Sequence, residues 1–225
     1  MPRSLRIDIP HTVYHVYMRG HNKSDLFLDD QDRHVFLKYL RRAHERCPWE
    51  LLGYCLMPNH YHLQVKTLDQ PLAKTMHYLN TLFAGYFNFR YSTVGHVFQG
   101  RYHSIPVEVD SYLLTLSRYI HLNPVVAGLV QRPEQYQWSS YRDYVGTRTS
   151  DLIQSGLVLE TLSQNQAKRQ DIYRDFVESE IGKPSKITDK LIRKTRIFGG
   201  DAFVRSLSAR QPLPLRDRES SNRFI

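Results

Sequence analysis

The stretch ELLGYCLMPNHYHLQV, residues 50–65, predicts two β-strands joined by a tight turn. A Pro-Asn pair supplies the turn, and mostly apolar residues flank it on both sides. Because side chains alternate between the two faces of a strand, His60, His62 and Gln64 share one face. The other face, formed by Tyr61, Leu63 and Val65, is apolar enough to lie on a core. The first face is therefore either a metal site built on two imidazoles or a polar surface rich in histidine.

The rest of the chain adds two strands and three helices in a regular order. Strands are predicted at residues 11–19, 50–57, 60–65 and 96–109, and helices at residues 30–44, 71–90 and 111–123. Asp29 or Asp30 caps the first helix, Pro71 opens the second, and Asp110 caps the third, which Pro124 ends. This is the split βαβ order, so we predict an α+β, ferredoxin-like antiparallel sheet. We expect helices on one face and the histidine face left open.

Three parts of the chain differ in composition and pattern. Residues 9–145 contain all the elements of the predicted sheet domain, and residues 146–210 are predicted to form a small helical appendage. Residues 211–225 are rich in Pro, Arg and Ser and are predicted to be a disordered basic tail. Residues 183–225 hold eleven Lys and Arg against four Asp and Glu, a net charge of +7 out of +9 for the whole chain. This end either solubilises the protein or contacts nucleic acid.

Composition also limits the cellular setting. Thirty-one Lys and Arg against 22 Asp and Glu give a pI near 9.6, which favours nucleic acid or another polyanion as partner. Cys47 and Cys55 are too few for a disulfide framework, and no apolar run reaches membrane-spanning length. We therefore expect a cytoplasmic, nucleoid-associated protein without a membrane partner.

A second candidate group lies in the third helix, in SRYIHLNP. Tyr119 and Asn123 are four residues apart, so they share one helical face. The two imidazoles and the amide oxygen could hold one divalent cation, with the phenol close by. Such a group suits phosphoryl transfer, in which the metal polarises a phosphate and the phenol attacks phosphorus to give a covalent intermediate.

Four segments together resemble a known family. MPNHYHLQV and SRYIHLNPVVAGLV resemble motifs of the HUH single-tyrosine transposases, most closely the bacterial REP-associated tyrosine transposases, and MRGHNKSDLF and GHVFQGRYHS resemble further segments of that group. The resemblance covers residues 9–145. It implies a ferredoxin-like core that cuts and rejoins single-stranded DNA near imperfect hairpins, through a 5′-phosphotyrosine, with Mg²⁺ or Mn²⁺.

The resemblance also implies roles for individual residues. Tyr119 would be the nucleophile, His60 and His62 the paired metal ligands, and Asn123 the third ligand, at a place where insertion-sequence relatives usually have Gln. Resemblance to the REP-associated group also implies a monomer rather than a dimer. For DNA binding we expect contacts from Arg19, Lys23 and Arg101, with the basic tail holding the phosphate backbone.

Other functions remain open from the residues themselves. A ferredoxin-like sheet could grip single-stranded RNA or DNA by aromatic stacking, although the histidine face lacks an exposed aromatic pair. A hairpin-binding regulator that no longer cuts is a further alternative. The paired histidines also permit Mn²⁺ or Zn²⁺ on ligand preference alone.

Overall fold

The computed structural model describes residues 7–184, 187, 191–192 and 195–211. Four strands form one antiparallel sheet in the order β2-β3-β1-β4. The strands are β1 (Val13–Arg19), β2 (Trp49–Met57), β3 (His60–Thr67) and β4 (His103–Val107). With α1 (Asp30–Arg46) between the first two strands and α2 (Leu72–Tyr91) between the last two, the predicted ferredoxin-like α+β fold is confirmed.

Two helices cover the first face of the sheet, as the sequence predicts. Asp29 caps α1 and shares a reciprocal capping box with Asp32. The inward-facing side chains of both helices meet the apolar side of β3 and its neighbours. This core includes Phe36, Leu40, Tyr61, Leu63, Val65, Met76, Leu79 and Phe83. Its position leaves the histidines on the opposite face.

The histidine face is not open, so the prediction of an exposed face is wrong. It is covered by α3 (Val109–Val126), α4 (Tyr141–Tyr144), α5 (Gly156–Glu160) and α6 (Arg169–Glu178). The polar pattern of β3 concealed this, because its neighbouring strands bring apolar side chains to the same face. These include Val13, Cys55, Met57, Ile105 and Val107. Burying that surface favours a second helical layer.

The helix α3 begins earlier and ends later than the sequence predicts. Glu108, rather than Asp110, occupies its N-cap position, and the helix continues through Pro124 to Val126. A proline so near the end of a helix removes one backbone hydrogen bond and leaves the following turn intact. Asn123 therefore has helical backbone, and its side-chain amide donates to the carbonyl of Tyr119 at 3.0 Å.

The fourth strand is shorter than predicted, because only residues 103–107 pair with β1. Residues 96–102 form an irregular loop that is fixed to the end of β1. The backbone N–H of Gln99 donates to the carbonyl of Arg19 at 2.9 Å, and that of His21 donates to the carbonyl of Val97 at 2.9 Å.

The C-terminal half of the chain also covers both edges of the sheet. Beside β2, the backbone N–H of Leu56 donates to the carbonyl of Trp138, and the backbone N–H of Ser140 donates to the carbonyl of Tyr54. Beside β4, Phe198 forms an isolated parallel bridge with Val107. A last helix, α7 (Asp201–Arg210), packs near the N-terminal Ile7 and Ile9. Covered edges prevent unwanted strand pairing.

The proposed division at residues 145 and 210 stays a prediction, although α5 and α6 share the core of the second face. Apart from Gln211, the predicted basic tail lies outside the described residues. Cys47 and Cys55 are both buried free thiols.

Candidate active site

The paired histidines lie where β3 begins and β1 ends, under the second helical layer. In the sheet register His60 is opposite Arg19, and His62 is opposite Tyr17. Both histidine side chains are buried, with His62 only 2% exposed. The alternation of the hairpin therefore places the two imidazoles side by side, as the sequence predicts.

The turn before β3 holds the ring of His60. Its Nδ1 lies 2.7 Å from Oδ1 of Asn59, and the amide group of Asn59 donates to the carbonyl of Lys23 at 3.3 Å. An amide oxygen can only accept, so Nδ1 of His60 carries the proton in this contact. The lone pair of a neutral His60 is then on Nε2.

A histidine of β1 holds the ring of His62. Nδ1 of His62 lies 2.9 Å from Nε2 of His15, and the two rings are nearly parallel at 19°. Burial, followed by the nearby His60, His15 and Arg19, holds the pKa of His62 well below its usual value. His62 is therefore neutral at physiological pH, which is the form that can bind a metal.

Tyr119 approaches this pair from α3. Its ring stands edge-on to His62 at 5.4 Å between centroids and 82° between planes, and edge-on to His15 at 6.1 Å. The side chain is half-buried. Asn123 lies one turn further along α3, and the hydrogen bond that the structure gives its side chain is to the backbone of Tyr119, and not to either histidine.

A buried polar network fixes α3 above the sheet. The two ring nitrogens of His121 contact the hydroxyl of Tyr173 at 2.6 Å and Oγ of Ser140 at 2.8 Å. Oγ of Ser117 lies 2.6 Å from the same tyrosine hydroxyl, and Ser140 accepts from the backbone N–H of Tyr54 at 2.9 Å. Burial, with a smaller effect of Arg148, lowers the pKa of His121 to about 3. A neutral imidazole thus links α3 to β2 and α6.

The three cationic residues expected to contact DNA occupy different surroundings at one end of the sheet. Arg19 is half-buried near His60, whereas Lys23 and Arg101 are exposed. Arg101 borders a groove of about 860 Å³ between α2 and the 96–102 loop, on the first face of the sheet. The fold therefore brings His60, His62, Tyr119 and Arg19 together and leaves Arg101 on the other side of the loop.

Sequence reasoning missed three polar residues that support the site: His15, Asn59 and His121. The first had a detectable signal, because His15, Tyr17 and Arg19 alternate along β1 as His60 and His62 do along β3. The role of His121 depends on partners up to 52 residues away in the sequence, so no local pattern could indicate it.

Among the described residues, no group of three or more His, Cys, Asp or Glu side chains is arranged to hold a metal ion. A cation at the paired histidines would therefore need a ligand of another type. An amide oxygen, a phenol or a phosphate oxygen of bound DNA would each serve.

The family model for IS200-like transposases matches residues 9–123, just over half of the chain. Together with the fold, this match defines the class of the protein as a transposase. More particularly, the chain belongs to the IS200-like transposase family. This membership confirms the family that the four sequence segments predicted, and it supports a transposase-like function on DNA.

Two solved structures are similar to the chain. A REP-associated tyrosine transposase bound to a REP hairpin is 15% identical, with a TM-score of 0.58 over 69% of this chain and 92% of that one. A candidate transposase from Deinococcus radiodurans R1 is 16% identical, with a TM-score of 0.37 over 53% of this chain and 94% of that one. The first similarity shows a shared fold. No curated protein matches the chain.

No helix within the described ranges is both long enough and apolar enough to cross a membrane.

Proposed function

We propose that the protein is a single-stranded DNA endonuclease and strand transferase that acts at hairpins of repetitive extragenic palindromes. The observation that carries this proposal is the edge-on approach of Tyr119 to His62, at 5.4 Å between ring centroids. A phenol beside a buried pair of imidazoles, of which His62 is held neutral, is an arrangement that suits a tyrosine nucleophile and a metal-bound phosphate.

The residues at the paired histidines fit a divalent cation. Nε2 of His62 is buried and has no hydrogen-bond partner among the described residues. A buried nitrogen left this way is costly unless it binds something. His60 and His62, through Nε2, and the amide oxygen of Asn123 would hold Mg²⁺ or Mn²⁺. When bound, the cation would polarise the scissile phosphate and neutralise charge that develops on its oxygens.

The residues of the chain carry the covalent step. The Tyr119 oxygen attacks phosphorus, a new P–O bond forms, and the bond from phosphorus to the 3′-oxygen of the preceding nucleotide breaks. The proton that the phenol loses balances the one that the new 3′-hydroxyl gains. Rejoining reverses this exchange with the same or another 3′-hydroxyl, so the 5′-phosphotyrosine conserves the energy of the phosphodiester.

Cations at the same end of the sheet would bind the DNA backbone. Arg19 would lie nearest the scissile phosphate, because it is opposite His60 in the register. Lys23 and Arg101 are exposed at this end of the sheet, with Arg101 on the other side of the 96–102 loop, and they would contact flanking phosphates. The basic C-terminal tail would add contacts that carry no sequence information. The hairpin partner is supported by the fold shared with the hairpin-bound REP-associated transposase.

The protein would act as a monomer in the cytoplasm, close to the nucleoid. The alternative function is a hairpin-binding regulator that does not cut. It differs from the proposed strand transferase only because Tyr119 performs no chemistry in it. Aromatic stacking of single strands on an open sheet is disfavoured, because helices cover the histidine face and helices α1 and α2 cover the other.

The test uses labelled single-stranded DNA hairpins taken from the palindromic repeats of the genome that encodes the chain. Incubation with Mg²⁺ or Mn²⁺ should yield a covalent protein–DNA adduct on a denaturing gel and a free 3′-hydroxyl on the released strand. The metal chelator EDTA should abolish both products. Tight hairpin binding without any adduct would instead identify the non-cleaving regulator.

A further inference from the structure

Two hydrogen bonds hold the paired histidines from outside the pair. Asn59 contacts Nδ1 of His60 at 2.7 Å, and His15 contacts Nδ1 of His62 at 2.9 Å. In both cases the nitrogen that is held is Nδ1. The two imidazoles are therefore oriented in the same sense by partners from two different segments.

The contact at His60 allows one tautomer. Asn59 donates through its Nδ2 to the carbonyl of Lys23, which directs Oδ1 toward His60. Since that oxygen can only accept, Nδ1 of His60 is protonated and Nε2 keeps the lone pair. The turn thereby selects the form of His60 that binds a cation through Nε2.

The contact at His62 allows two arrangements. Either Nδ1–H of His62 donates to Nε2 of His15, or Nε2–H of His15 donates to Nδ1 of His62. Only the first leaves the lone pair of His62 on Nε2, the buried nitrogen without a hydrogen-bond partner among the described residues. The second arrangement would place a proton there and block metal binding.

We propose that His15 and Asn59 are positioning residues that fix His62 and His60 as Nδ1–H tautomers, so that both rings offer Nε2 to a divalent cation. This inference rests on the proposed function, because it takes the pair as metal ligands. Outer partners of metal-binding histidines have this effect generally, since they set the tautomer and the orientation of the ring.

His15 acts through His62 rather than as a third ligand. Its Nε2 is committed to Nδ1 of His62, with the rings 5.1 Å apart between centroids and nearly parallel. Among the described residues, no three His, Cys, Asp or Glu side chains are grouped so that they could hold a metal ion. Both rings are buried, so a phenylalanine at position 15 would fill the space that a substitute water would need.

The test measures Mn²⁺ affinity and the tautomer of His62 in the full chain. His15→Phe keeps an aromatic ring and removes the nitrogen that accepts from His62. Asn59→Leu keeps a side chain of similar size and removes the amide oxygen that accepts from His60. Each should weaken Mn²⁺ binding by about 10- to 100-fold. In metal-free protein, imidazole ¹⁵N shifts should report Nδ1–H on His62 in the wild type and a mixture in His15→Phe. His15→Gln restores an acceptor and should recover most of the affinity.

A double-mutant cycle separates positioning from folding. In a His62→Ala background, His15→Phe should weaken Mn²⁺ binding no further, because the ring that it orients is gone. His103→Phe is the matched control: this ring stacks on Tyr17 on the same face, at 4.7 Å between centroids, and its replacement leaves the His15–His62 contact in place. It should bind Mn²⁺ as the wild type does.

The outcomes distinguish this inference from the proposed function. If His62→Ala binds Mn²⁺ as tightly as the wild type, the metal site itself is wrong, and the inference fails with it. If His62→Ala loses Mn²⁺ but His15→Phe keeps full affinity and the same His62 tautomer, only the positioning role of His15 is overturned. If His15→Phe still weakens Mn²⁺ binding by the full factor in the His62→Ala background, the positioning role of His15 is also overturned.

Discussion

The ring of Tyr119 stands edge-on to the ring of His62, with 5.4 Å between their centroids and 82° between their planes. These residues lie on different elements, α3 and β3, and meet because α3 crosses the second face of the sheet. The half-buried phenol and the buried imidazole are thus brought into contact from two distant parts of the chain.

Replacing Tyr119 by phenylalanine should abolish cleavage and the covalent adduct while leaving hairpin binding nearly unchanged. The variant loses one hydroxyl and keeps the ring that packs against His62 and His15. Adduct formation on denaturing gels and binding by a gel-shift assay measure the two effects separately. Robust cleavage by Tyr119→Phe would remove this residue from the mechanism.

Replacing either paired histidine by alanine should lower Mn²⁺ affinity and the cleavage rate together, by at least about 10- to 100-fold, the loss expected even for an outer partner. Asn123→Ala should have a smaller effect, and Asn123→Asp should retain activity with Mn²⁺, because a carboxylate oxygen replaces the amide oxygen. Calorimetric titration and single-turnover kinetics provide the measurements. Anomalous scattering from a Mn²⁺ ion bound far from His60 and His62 would contradict the assignment.

Replacing Gly20 by alanine should lower the free energy of unfolding by about 1–3 kcal/mol, because an added Cβ would overlap the backbone carbonyl of Ser24. The same loop contains Lys23, whose carbonyl accepts from Asn59. Gly85→Ala is the matched control, since a Cβ there meets nothing within 4 Å on the exposed side of α2. It should instead stabilise the protein by about 0.5–1 kcal/mol. Denaturant unfolding measures the free energy of unfolding of both variants. If Gly20→Ala and Gly85→Ala change it equally, the close approach at Gly20 is unimportant.

The stability of the protein should fall as the pH drops below about 6.5. Burial lowers the pKa of His121 to about 3, so between these values the unfolded chain binds a proton that the folded chain does not. This group alone should cost about 2 kcal/mol between pH 7 and pH 5. His62 acts in the same direction, because its pKa is also lowered.

The variant His121→Gln isolates that contribution. It keeps donor and acceptor atoms for the network but cannot titrate, so its unfolding free energy should fall less steeply between pH 7 and pH 5. Urea denaturation at each pH gives the two slopes. If wild type and variant show equal slopes, His121 is not the group responsible.

Removing residues 212–225 should weaken hairpin binding and make it less sensitive to salt. The deletion removes Arg216, Arg218 and Arg223 and keeps Gln211, whose side chain accepts from the backbone of Asp8. If each arginine neutralises one phosphate, the slope of log affinity against log salt should become shallower by roughly 2 to 3. The single-turnover rate at which the protein cleaves prebound DNA should not change. An unchanged salt slope would identify the tail as a solubilising end.

The sequence by itself determined the local elements and the two chemical motifs. Alternation along residues 60–65 predicted which face of β3 carries the imidazoles, and helical spacing predicted that Tyr119 and Asn123 share a face. Turn and capping residues near Asp29 and Pro58 fixed where elements begin and end. These features depend on interactions within a few residues, so a single sequence contains them.

The tertiary structure alone decided what covers the histidine face and what holds each ring. The prediction of an open face was wrong because apolar side chains from β1, β2 and β4 join the polar residues of β3 on one surface. Only the pairing of the strands shows that this combined surface is largely apolar. The predicted end of α3 was wrong because Ile120 and Leu122, just before Pro124, are buried in the core of the second face, and this burial outweighs the local cost of the proline. His15 and His62 are 47 residues apart in the chain and 2.9 Å apart in space, a contact that no local pattern can encode.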